Sequence, residues 1–200
     1  MAMFALDSGD TAWVLTSAAL VLFMTPGLAF FYGGMVRSKN VLGMLMQNYF
    51  AMGLISVLWA IVGFTLAFGG TGPIIGDLEF AGLSNVTDLD GAIPGMAFVG
   101  FQMMFAIITP ALIVGAYVER IGFGFVMTFS GLWMLLCYAP VVHWVWGGGM
   151  LADGGIFGET GVRDFAGGIV VHETAGIAAL IIAIFLGQRR NHTTPPHNPG

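Results

Sequence analysis

FAGGIVVHETAGIAALIIAIFLG, residues 165–187, is apolar over a membrane's width, yet His172 and Glu173 stand side by side within it. At 1.5 Å per residue, ~20 apolar residues cross the ~30 Å of bilayer hydrocarbon, so this stretch reads as a transmembrane helix. An ionised side chain mid-helix costs roughly 2.5–3.5 kcal/mol on insertion scales, which makes an adjacent imidazole and carboxylate a functional question. On a helix the neighbours of His172 at three, four and seven residues are Phe165, Gly168, Ile169, Ala175, Gly176 and Ala179. That small-residue face permits close helix packing or leaves a narrow slot with a nitrogen in its wall. Glu173 points ~100° away, toward a different neighbour.

The remainder of the chain has the same character. Of 200 residues 57% are hydrophobic and 8% charged, against about 25% charged in soluble domains, and the deficit runs the whole length. Four more apolar segments, approximately 11–36, 41–68, 94–118 and 122–146, precede a fifth at 164–187. None shows the strict alternation of barrel strands, so the fold class is an all-α membrane protein with five transmembrane helices. Pro26, Pro110 and Pro140 lie inside segments and predict kinks. Cys137 is the one cysteine, which excludes an intrachain disulfide. The opening MAMFALDSGD lacks a basic n-region and a small-residue cleavage pattern, so no cleaved signal peptide is expected.

Five of the six Lys and Arg residues (Arg37, Lys39, Arg120, Arg189, Arg190) fall on one side of this topology, with Arg163 the exception. The positive-inside rule therefore places the N-terminus and the Asp- and Gly-rich loops 69–93 and 147–163 outside a cell (inner) membrane. The polar, Pro-rich segment 188–200 reads as a cytoplasmic linker. An odd number of spans ending in a linker suits the first half of an inverted-repeat transporter, with the second half following.

Single residues carry weaker signals. Phe101 and Phe105 sit one turn apart on a helix face, Trp144 and Trp146 fall at an outer interface where tryptophan belongs, and Asp164 suits a helix N-cap. Together they describe an aromatic cluster at a mouth, phenyl rings below it and an imidazole deeper in. Aromatic faces bind ammonium groups, and a cation stripped of water releases its proton more readily. No phosphate loop, nucleophile triad or thiolate cluster is present, so neither an enzyme nor a cofactor is expected, and no metal site or nucleic-acid partner.

At these residues the chain resembles the ammonium transporter (Amt/Mep/Rh) family. MTPGLAFFYGGMVRSKN (24–40), FQMMFAIITPALIVGAYVER (101–120), YAPVVHWVWGGG (138–149) and DFAGGIVVH (164–172) occur in the family's order and touch every span but the second. The resemblance implies an eleven-helix fold of two inverted five-helix halves, of which this is the N-terminal half. It implies a homotrimer with one pore per subunit, a substrate of ammonium, ammonia or methylammonium, a lipid surround, and a PII-type signalling protein as a cytoplasmic partner. Carried over by motif, Phe105 corresponds to the outer phenyl gate, Trp146 with Phe101 to the ammonium-recruiting site, and Asp164 to its supporting acid. His172 corresponds to the first of twin pore histidines, the second belonging to the other half, while Phe31, Tyr32 and Leu112 fall on the apolar pore lining. Trp146 marks the Amt branch. Glu173, where an apolar residue is expected, and the long loop 153–163 depart from the pattern. Two rivals stand on the residues alone. One is a proton-coupled transporter of another small solute with His172 and Glu173 as relay; the other is a haem-type subunit using His143 and His172.

Overall fold

The computed structural model describes residues 6–88 and 91–188 and contains five helices long and apolar enough to span a membrane. They are α1 (Ser8–Met35), α2 (Ser38–Phe68), α3 (Gly95–Tyr117), α4 (Phe123–Val145) and α5 (Gly168–Leu186). No strand occurs among the described residues. Helix α3 is the centre of the bundle, flanked by α1 on one side and α5 on another, with α2 and α4 packed together behind it. It is apolar on every face, which is the composition of a helix with neighbours all round. Trp59, Phe64, Met134, Tyr138 and Tyr117 fill the core that α2, α3 and α4 share. Glycine sets one close approach there: a Cβ on Gly131 of α4 would lie 3.1 Å from Leu58 Cδ1 of α2. Helices α1 and α5 instead leave much of their apolar surface uncovered, including Phe23, Phe30, Phe31, Leu180, Ile184 and Phe185.

Of the three prolines inside spans, only Pro140 lies beside a break in the regular α-helical ladder. Helix α1 runs through Pro26 and α3 through Pro110 without interruption. Departures occur instead at three π-helical turns: Trp59–Gly63 in α2, Met134–Tyr138 in α4 and Gly168–Glu173 in α5. The α4 turn ends two residues before Pro140, whose missing N–H and bulky ring are accommodated by a widened ladder. The fifth helix begins at Gly168, four residues later than the hydropathy places it, because Gly167 adopts a left-handed φ of 79° and turns the chain.

Cross-links at each end show which loops share a side. The Asp7 N–H donates to the Ala92 carbonyl at 2.8 Å, and the Met150 N–H to the Pro73 carbonyl at 2.9 Å, joining the N-terminus with loops 69–93 and 147–163. At the opposite end Glu119, held at φ 66°, accepts from the Arg37 N–H at 3.0 Å and the Asn40 side-chain amide at 2.7 Å. Arg120 donates to the Gly187 carbonyl at 2.8 Å and the Ala116 carbonyl at 2.6 Å. A left-handed non-glycine costs roughly 1–2 kcal/mol, which the Glu119 bonds offset. This acid–base pair thus ties the α1–α2 turn, the end of α3 and the end of α5 into one clasp. The linker 188–200, with Arg189, Arg190, His192 and His197, lies outside the described residues apart from Gln188.

Candidate functional site

The signature residues of α3, α4 and the head of α5 converge at the end of the bundle formed by the 69–93 and 147–163 loops. Phe101 and Phe105 meet edge to face, ring centroids 5.0 Å apart at 81°. Phe105 in turn meets Trp146 at 6.3 Å and 70°. Such edge-to-face pairs let the positive rim of one ring meet the negative face of the next. Trp146 is the first residue beyond α4, and its indole N–H donates to the Asp164 carbonyl at 2.7 Å. Four of the expected site residues therefore form one half-buried cluster drawn from three parts of the chain.

Asp164 does more than cap. It stands ahead of α5, and one carboxylate oxygen accepts from Gly167 and Gly168 at 2.7 and 2.8 Å, the other from Ile169 and Val170 at 2.8 and 2.9 Å. One side chain thereby satisfies all the orphan donors of the first turn. Partial burial pushes its carboxyl up, but these four N–H groups outweigh that and hold it below the ordinary carboxylate value. The positive end of the helix adds to the same effect. A side chain at Gly167 is excluded twice, by its left-handed φ and by Val171 Cγ2, 2.8 Å from where a Cβ would stand.

His172 and Glu173 close the π-helical turn that Asp164 starts, and both are exposed on the open side of α5. The Gly167 carbonyl accepts from the backbone N–H groups of Val171 and His172 at 3.0 and 2.9 Å, and lies 3.0 Å from His172 Nδ1. A carbonyl can only accept, so Nδ1 carries the proton and Nε2 keeps its lone pair in the neutral ring. Turns of this kind frequently occur at functional sites. Deeper along α3, Tyr32 donates to the Leu112 carbonyl at 3.3 Å, and its ring fills the space a side chain at Gly115 would need. Leu112 stands two turns, about 10 Å, from Phe105 along the helix. Phe31 packs edge to face on Tyr32 at 5.4 Å and is 61% exposed on the uncovered face of α1.

Two residues acquire partners that spacing did not reveal. Trp144 pins a loop, its indole donating to the Ile74 carbonyl at 2.6 Å. His143 is fully buried, with Nδ1 3.0 Å from the Ala67 carbonyl and Nε2 2.6 Å from the Gly72 carbonyl. Both its nitrogens thus stand against carbonyl oxygens, so neither is open to the metal that a haem pairing with His172 requires. The partners lie at least seventy residues away, and no local pattern signals them. The loop 153–163 is drawn in on itself, with Asp153 accepting from the Gly161 N–H at 2.8 Å and pairing with Arg163 at 3.1 Å. The Gly161 bond first, then the Arg163 charge, hold the Asp153 carboxyl below its ordinary value.

Comparison with known proteins places the chain in a lineage. The family model described as Ammonium Transporter Family matches residues 12–200. The ammonium transporter of Bacillus subtilis (strain 168) is 48% identical over 198 residues, covering 96% of this chain and 48% of that protein. Ammonium transporter Amt1 of Archaeoglobus fulgidus is 40% identical over 197 residues, covering 96% and 48%. The crystal structure of Saccharomyces cerevisiae Mep2 superposes with a TM-score of 0.80 at 35% identity, covering 92% of this chain and 42% of that one. The chain thus spans about half the length of the curated relatives it matches.

Proposed function

We propose that this chain, which belongs to the ammonium transporter family, forms the outer mouth and one wall of a pore that carries ammonium across the membrane. The observation that carries the reading is the Phe101–Phe105–Trp146 cluster, steered by the Asp164 carbonyl and followed inward by the His172 imidazole. A cation arriving at the mouth is held by the indole and phenyl faces, worth ~0.5–2 kcal/mol. Passing Phe105 costs it water, and desolvation disfavours the charged form, so the partly dehydrated cation becomes a readier hydrogen-bond donor to the acceptor that follows. Nε2 of His172, left as an acceptor by the Nδ1–Gly167 bond, then takes a hydrogen bond from the amine. The opposite wall belongs to a second bundle of the whole protein that covers the exposed faces of α1 and α5. The site residues Phe31, Tyr32 and Leu112 continue the apolar lining inward.

The test of the aromatic site is substrate dependence. Trp146→Leu is expected to raise the half-saturation concentration for methylammonium roughly 5–30-fold, the equivalent of ~1–2 kcal/mol of cation–π attraction. An unchanged concentration dependence, at normal membrane yield, rejects the role.

On the same reading the assembly is a homotrimer with one pore per subunit in the cell membrane. The end bearing Arg37, Lys39 and Arg120 faces the cytoplasm and is the side open to a PII-type signalling protein. The charge asymmetry supports this orientation. A cysteine introduced at Ser38, in a Cys137→Ser background, is expected to resist impermeant maleimide in intact cells and to react in inverted vesicles. Labelling from outside reverses the topology.

A further inference from the structure

We infer that His143 is a positioning residue for Trp146, holding the root of the indole while Asp164 holds its tip; the inference rests on Trp146 being the cation site. The segment from His143 to Met150 is a junction between two loops. The His143 ring reaches the carbonyls of Ala67 and Gly72, Trp144 reaches that of Ile74, and the Met150 N–H reaches that of Pro73. All four acceptors lie between residues 67 and 74, so α4 ends against one continuous surface.

The His143 backbone carbonyl accepts from the N–H groups of Gly147 and Gly149, at 3.1 and 2.9 Å, and so closes the turn that follows Trp146. That turn leaves no room for slack: a Cβ at Gly147 would stand 2.1 Å from the Ala67 carbonyl, and one at Gly149 2.7 Å from the His143 carbonyl. Trp146 therefore sits between a ring clamped on both edges and a turn pressed against the same carbonyl. Its side chain has one hydrogen bond of its own, to Asp164. Each ring nitrogen of His143 needs an N–H to satisfy its carbonyl, so the neutral ring satisfies one and the doubly protonated ring both. An alanine there satisfies neither and opens the α4 end, freeing the indole to rotate away from Phe105 while its chemistry is unchanged.

The experiment is a double-mutant cycle on methylammonium uptake by the full-length protein, reading half-saturation and maximal rate separately. His143→Ala is expected to raise half-saturation roughly 3–10-fold with little change in maximal rate per transporter in the membrane. Added to Trp146→Leu it should change half-saturation less than about 2-fold, because the group it positions has gone. His143→Gln, which keeps one amide donor, should fall between wild type and His143→Ala. Multiplicative effects in the double variant overturn the inference, as does an unchanged half-saturation in His143→Ala when Trp146→Leu shifts it. If Trp146→Leu itself shifts nothing, the aromatic site fails and the positioning role falls with it. Where His143→Ala does not reach the membrane, His143→Gln is read in the same cycle; absence of both assigns His143 to folding alone and overturns the inference.

Discussion

Replacing His172 with alanine in the full-length transporter is expected to reduce methylammonium uptake roughly 10–100-fold, to the background of whole-cell assays, with membrane yield retained. The magnitude follows from a hydrogen bond between an imidazole and a partly dehydrated charged amine, worth about 1.5–3 kcal/mol. The structure explains why the fold should survive. The ring's one internal bond goes to the Gly167 carbonyl, which two backbone N–H groups already occupy. Glu173→Gln separates the pore reading from the relay reading. A relay through His172 and Glu173 needs the carboxylate and loses uptake with it, whereas a pore whose acceptor is His172 Nε2 keeps uptake. Wild-type uptake in His172→Ala rejects both.

Asp164→Ala has the second largest expected effect, and it strikes stability and affinity together. The substitution leaves the N–H groups of Gly167, Gly168, Ile169 and Val170 without an acceptor at the head of α5. Loss of a single capping acceptor costs ~0.5–2 kcal/mol, and a charged one serving four donors belongs at or above the top of that range, at about 2–3 kcal/mol. Because the Asp164 carbonyl holds the Trp146 indole, disorder of this segment also raises the half-saturation for substrate. Asp164→Asn should recover part of the loss, since its amide oxygen accepts from two donors while its NH2 faces the other two. Thermal unfolding of the solubilised protein measures the first effect, and an alanine variant that melts like wild type rejects it.

The pH dependence has a definite sign. The folded-state pKa of Asp164 is depressed, so its contribution is fully present above the unfolded carboxylate value. It is lost as pH falls through the folded value, below the ordinary carboxylate range. The stability gap between wild type and Asp164→Asn should therefore be constant around neutrality and close only in strong acid.

What the linear chain determined by itself was the membrane class, the number of spans and the grouping of loops by charge. Transfer of a helix into hydrocarbon sums over contiguous residues, so hydropathy along the chain carries that information without knowledge of neighbours. The motifs around Phe105, Trp146 and His172 were legible for the same reason, as short runs with fixed internal spacing. The prolines located one widened turn, beside Pro140, but not the others, because the place where the ladder widens also depends on packing: α2 has a π-helical turn at Trp59–Gly63 with no proline in it. The first turn of α5 read as membrane helix from Asp164, and only the carboxylate's four bonds with the left-handed Gly167 show that the helix starts at Gly168. Tertiary structure likewise decided that Trp146 meets Asp164, eighteen residues on, and that His143 meets Ala67 and Gly72. Such pairings join carbonyls that every residue carries to side chains far along the chain. No residue type at either position specifies the partner, and only the packing of α4 against α2 and the head of α5 brings the two within a hydrogen bond's length.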